Sequence, residues 1–156
     1  ALGAVASTLV SNTIGAGRKE EVTALIKRIA LISLGMMAAV VAVVSAFPRT
    51  MIRIYTDNPS LVDDTVMPLY VLISSLPIYS LGTVLFNSVS GTGNTRTALK
   101  FEVITLVFYI SYMWFVIIHM RFPVAVAWTT EHVYWLSIGI LSFIYLGSGK
   151  WKQRKI

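Results

Sequence analysis

The chain has 156 residues, 56% of them hydrophobic and 13% charged, with a mean hydropathy of +0.73. Soluble domains carry about 25% charged residues, so this composition excludes an ordinary soluble domain and points to a membrane protein. The net charge of +6 would suit a nucleic-acid binder, but here the basic residues flank apolar runs, and the absence of cysteine removes disulfide frameworks and thiolate metal sites.

Residues 1–14 read ALGAVASTLVSNTI. They are apolar, yet shorter than the roughly 20 residues a spanning helix needs. They lack the basic start of a signal peptide and are not led by Met. A partial helix is expected, with the chain beginning inside it as a piece of a larger protein. NTIGAGRKEE follows, a Gly-x-Gly turn with basic residues. A first full helix is expected over 25–47, because 29–47 is uncharged and about one bilayer long. It carries no polar stripe, so it should face lipid or pack through Gly35 and its alanines.

The loop 48–65 begins PRTMIRIYT, with Met51, Ile52, Ile54 and Tyr55 among basic residues. Such a segment suits the membrane interface. Asn58-Pro59 reads as an N-cap followed by Pro at the first helical position. A second full helix is expected over 66–90. Pro68 and Pro77 each remove a backbone bond, so kinks are expected there. Ser80, Thr83, Asn87 and Ser90 fall on one face.

SGTGNTRTAL forms a second Gly-x-Gly turn. Its glycines, hydroxyls and basic residues suggest a phosphate cradle, but the spacing GxxxxGK[ST] is absent. The favoured reading is a tight turn at the inner membrane face through Gly91 and Gly93, anchored by Arg96 and Lys100. A third full helix is expected over 98–119, with Glu102, Thr105, Tyr109 and Tyr112 on one face. A fourth is expected over 123–146, with Trp128, Glu131, Trp135 and Ser142 in a row. A basic tail, 147–156, closes the chain. The fold class is therefore an all-α integral membrane bundle in one domain: about four full transmembrane helices plus a partial N-terminal one.

Two roles for the polar stripes stay open. Facing one another, they line a wet cavity; alternatively they bond helix to helix, at about 1 kcal/mol or less per bond. Glu131 is the most informative residue, since an ionisable group inside a membrane is by default a cation or proton site. The alternative is an interfacial glutamate in an aromatic belt, paired with His132 or Arg121. Glu102 has Arg96 and Lys100 nearby as partners. His119 and His132 do not match a zinc spacing, and no nucleophile–His–acid constellation stands out. Neither an enzyme nor a metal site is expected. Ten of the thirteen Lys and Arg residues lie in the first and third loops and the tail. Those segments, and the C-terminus, are therefore expected on the cytoplasmic side.

Read in order, ASTLVSNTIGAGRKEEV, an apolar helix ending in FP, IYTDNPSLV, LFNSVSGTGNTRTALKFE, VAWTTEHVYW and YLGSGKW resemble the C-terminal part of the multidrug and toxic compound extrusion (MATE) transporters. The wording is most similar to the branch found in Bacteroides-type bacteria. The resemblance spans essentially the whole chain and implies the end of the eighth helix and the ninth to twelfth helices of a twelve-helix protein. It implies part of a C-lobe, with an N-lobe and a seventh helix elsewhere. It further implies a secondary antiporter in the bacterial inner membrane that exports small organic cations or drugs in exchange for H⁺ or Na⁺. No cofactor beyond the coupling ion is implied. The partners implied are the lipid bilayer, the transported cations and the N-terminal lobe, with no nucleic acid. Family members place coupling carboxylates in the N-lobe or in the seventh and tenth helices. The tenth helix here, 66–90, has no Asp or Glu, which leaves coupling to the other half, with Glu131 as the local candidate. Ser80, Thr83, Asn87, Tyr109 and Tyr112 are the substrate-cavity candidates. The competing readings are a flippase for lipid-linked oligosaccharide or polysaccharide and a non-transporting membrane scaffold.

Overall fold

The computed structural model describes residues 2–153, and every described element is helical. Arg154 and Lys155 of the expected basic tail lie outside the described residues. Helix α1 (Leu2–Gly15) turns back through Gly17, whose φ of +76° disfavours any side chain. A single 3-10 turn, Lys19–Glu21, leads into α2 (Val22–Ala46). Lys27 and Arg28, grouped above with the first loop, stand inside α2 with exposed side chains. Their long stems let the charges reach back toward water.

Pro48 ends α2, because the residue before a proline is pushed out of the helical region. Phe47 accordingly has φ −131° and ψ 50°. The segment expected at the interface becomes a short helix, α3 (Pro48–Arg53), which buries Ile52. Arg49 Nη2 meets Asp63 Oδ1 at 3.0 Å. The cap read from Asn58-Pro59 is formed: Asn58 Oδ1 accepts from Ser60 N at 3.1 Å. Helix α4 (Pro59–Gly91) then runs 33 residues without interruption through Pro68 and Pro77. It starts well before residue 66, because the cap is set at Asn58.

The next turn reverses at Gly93, φ +78°. Gly91 works differently from a turn glycine: it is the last residue of α4. Helix α5 (Thr95–Met113) is capped by Asn94, whose Oδ1 accepts from Thr97 N at 3.3 Å. Its end widens into a π turn, Trp114–His119, and Arg121 breaks the chain direction at φ 52°. A single turn, α6 (Val124–Ala127), and α7 (Thr129–Gly147) follow.

Among the described residues three helices are long and apolar enough to cross a membrane: Lys19–Ala46, Pro59–Gly91 and Thr95–His119. The fourth expected span divides at Trp128. The first turn of α7 then holds Thr129, Thr130, Glu131 and His132. Four polar residues in one turn leave α7 short of a full apolar crossing.

Helix α4 is the centre of the bundle, with α1 and α2 on one side and α7 on another; α5 packs chiefly on α7. Lipid supplies no hydrophobic drive between helices, so small residues that let backbones approach decide the contacts. A Cβ built on Gly91 would lie 2.6 Å from Ser7 O, and one on Gly3 would lie 2.6 Å from Thr83 Cγ2. A Cβ on Gly82 would lie 3.0 Å from Trp135 O, and one on Gly139 would lie 3.5 Å from Gly82 Cα across the same contact. Helix α2 packs through Ile26, Ile29 and Ser33 instead of Gly35, which has nothing within 4 Å of its Cβ position.

The two glycines make a paired test. Gly91→Ala drives a methyl into the α1 backbone and should cost about 1–3 kcal/mol. Gly35→Ala adds a methyl in open space and should be neutral or slightly stabilising, by up to about 1 kcal/mol from helix propensity. Thermal unfolding in detergent checks both; equal midpoints would contradict this packing.

Candidate functional site

The α4 stripe faces α1 and α2. Ser80, 2% exposed, shares a hydrogen bond of 2.7 Å with Ser33 of α2. Thr83 Oγ1 donates to Tyr79 O at 2.6 Å, and Asn87 Nδ2 donates to Thr83 O at 2.8 Å. Such back-bonding satisfies a hydroxyl or amide inside lipid without a second helix. A cleft of ≈ 250 Å³ opens beside them, lined among others by Gly3, Ser33, Met36, Tyr79, Ser80 and Thr83. Asn87 lies one turn below, against Gly3.

Tyr109 and Tyr112 stand elsewhere. Both are on α5 and face α7: Tyr112 Oη and Thr129 Oγ1 are 2.9 Å apart, and Tyr109 meets Tyr134 edge-on at 5.7 Å. The five cavity candidates thus divide between two faces, α4 toward α1 and α2, and α5 toward α7.

A line of aromatic rings spans the gap. Tyr79, at the cleft, packs edge-on against Trp135 at 4.6 Å. Trp135 packs edge-on against Tyr134 at 4.8 Å, and Tyr134 against Tyr109. Edge-to-face pairs of this kind contribute about 0.5–1.5 kcal/mol beyond area burial. Both glutamates of the helical stripes attach to this line. Glu131 Oε2 accepts from Trp135 Nε1 at 3.1 Å. Glu102 Oε1 accepts from Tyr134 Oη at 2.6 Å. Neither makes an ion pair among the described residues. The expected partners Arg121, His132, Arg96 and Lys100 are therefore replaced by aromatic donors. An i, i+4 step puts Trp135 one turn above Glu131 on the same face. His132 instead turns to α4, where its Nε2 and Ser74 Oγ are 2.9 Å apart.

Ser33, Tyr79 and Tyr134 were outside the stripes read from sequence. Ser33 is a single hydroxyl in an apolar helix, so it makes no stripe. Tyr79 sits beside the stripe residue Ser80 and carried no signal of its own; Tyr134 was legible only as one of the belt aromatics flanking Glu131, with no sign of its bond to Glu102. In the turn expected on the cytoplasmic side, Gly91 contacts α1, Gly93 makes the reversal, and Arg96 is exposed. Asn94 Nδ2 reaches Tyr145 Oη of α7 at 2.7 Å, which ties that turn to α7.

The family model described as MatE matches residues 1–115. The chain is 24% identical over 151 residues to a protein of Thermotoga maritima named "Probable multidrug resistance protein NorM". That alignment covers 96% of this chain and 32% of the relative, so the chain spans about a third of the relative's length. No solved structure matches it.

The Ser33–Ser80 bond is testable by a double-mutant cycle with Ser33→Ala and Ser80→Ala. The expected coupling is about 0.5–1 kcal/mol in detergent unfolding. Strict additivity would mean that the two hydroxyls do not share a bond.

Proposed function

Because the chain belongs to the MATE family of membrane transporters, we propose that it supplies one part of a secondary multidrug or organic-cation efflux antiporter driven by H⁺ or Na⁺. The supporting observation is the aromatic line that joins the cleft at Tyr79 to Glu131 and Glu102. Aromatic faces beside a cleft attract cations. A carboxylate held by a neutral donor keeps its charge uncompensated, so it is suited to exchange a proton or bind a cation. Ser80, Thr83 and Asn87 border the outgoing path on α4. Tyr109 and Tyr112 border a second face on α5. Glu131 is the coupling residue within this part.

The remaining two thirds of the transporter supply the opposing bundle, since alternating access needs one bundle moving against another. The working location is the bacterial inner membrane, with the basic turns at Gly17 and Gly93 on the cytoplasmic side. The transported class is small, lipophilic organic cations.

Two variants of the complete protein test this. Glu131→Gln removes the charge and keeps the acceptor for Trp135, so export should fall about tenfold or more at equal membrane abundance. Unchanged export would remove Glu131 from coupling. Asn87→Leu should change the ranking of exported cations. A uniform fall for every cation, in step with protein abundance, would assign Asn87 to packing alone.

A further inference from the structure

Beyond α7 the chain folds back on itself. Gly149, at φ +66°, reverses its direction, and a 3-10 turn, Lys150–Gln153, returns it to the start of the bundle. Trp151 is 3% exposed. It belongs to the buried cluster of Ala6, Val10 and Ile14 of α1 with Val22 and Ile26 of α2. Its Nε1 donates to Leu146 O at 3.0 Å. That bond satisfies one of the carbonyls a helix end leaves open, so the indole is buried without an orphaned donor. Two charged contacts fix its register on the α1–α2 turn. Lys152 Nζ meets Glu20 Oε2 at 2.6 Å, and Lys19 Nζ donates to Lys152 O at 3.0 Å. The Glu20 side chain is 85% exposed, so that ion pair aligns the segment and holds it weakly. The indole supplies most of the hold.

We propose that residues 148–153 form a permanently closed clasp that makes α1, α2 and α7 one rigid body. Helix α4 packs against all three, so it moves with them. Any displacement of this unit during transport is then a displacement of the whole unit, with no parting of α7 from the α1–α2 turn. The consequence for transport rests on the antiporter reading; the clasp itself does not.

The test uses the complete protein in its membrane. Glu20→Cys and Lys152→Cys are joined by a short, cleavable bifunctional thiol reagent. The linkage should form to the same extent with and without an imposed ion gradient or exported cation. The linked protein should export within about twofold of the unlinked one. A linkage that forms in only one condition, or an arrest of export that cleavage of the linker reverses, would overturn the proposal. Hydrogen exchange gives a readout independent of transport. Trp151→Ala should speed exchange of amides 15–22 by about tenfold or more, while Trp151→Phe, which keeps a ring in the cluster, should stay much nearer the parent. Unchanged exchange in Trp151→Ala would also overturn it. Should Trp151→Ala fail to accumulate, Trp151→Phe and the thiol linkage decide. A parent protein that exports nothing would defeat the antiporter reading, and linkage yield and exchange would still decide the clasp.

Discussion

In hydrocarbon, helices gain nothing by hiding apolar surface from one another, so the bundle depends on how closely α4 lets its neighbours approach. Gly91 and Gly3 make the α1–α4 contact, Ser80 and Ser33 the α2–α4 contact, and Gly82 and Gly139 the α4–α7 contact. Every one of these residues is small. Many large side chains point outward: Leu31, Met36 and Val43 on α2, and Val103, Val107 and Ile110 on α5, are exposed. That distribution inverts the pattern of a water-soluble bundle and suits one surrounded by acyl chains.

Close approach leaves little room for bulky polar groups, and this shapes the site. The α4 hydroxyls and Asn87 turn onto their own helix or onto Ser33. Polarity that needs space collects at the α5–α7 contact and the first turn of α7. There the two glutamates are held by Tyr134 and Trp135. Trp135 serves both ends of the arrangement. Its backbone carbonyl lies against Gly82, its ring stands perpendicular to that of Tyr79, and its N–H holds Glu131. A shift of α7 along α4 would therefore alter the cleft and the carboxylate together.

Much of this was legible in the sequence, and the reasons differ by residue. Asn58-Pro59 announced the start of α4 because capping is local chemistry over two residues. The Gly-x-Gly turns were legible as reversals, although only the second glycine of each, Gly17 and Gly93, takes the left-handed conformation. Spans over α2, α4 and α5 followed from apolar length. What periodicity does not encode is which partner a face meets. Gly35 and Gly91 look alike in sequence, yet one lies open and the other touches Ser7. Tyr109 and Ser80 both belong to stripes but face different helices. Glu131 had charged neighbours in the chain and chose an indole one turn away. Trp151 lay in a segment read as a basic tail, because its burial depends on α1 and α2, which are distant in sequence.

The proposed role is ion-driven export of organic cations by the complete protein, to which this chain contributes one part. The most direct measurement reconstitutes the complete protein in liposomes and follows a fluorescent organic cation under imposed H⁺ or Na⁺ gradients. Uphill movement of the dye is expected in one of the two gradients, with dissipation of that gradient and loss of movement when an ionophore collapses it. Folded protein that moves no cation under either gradient, or that moves only lipid-linked oligosaccharide, would contradict it.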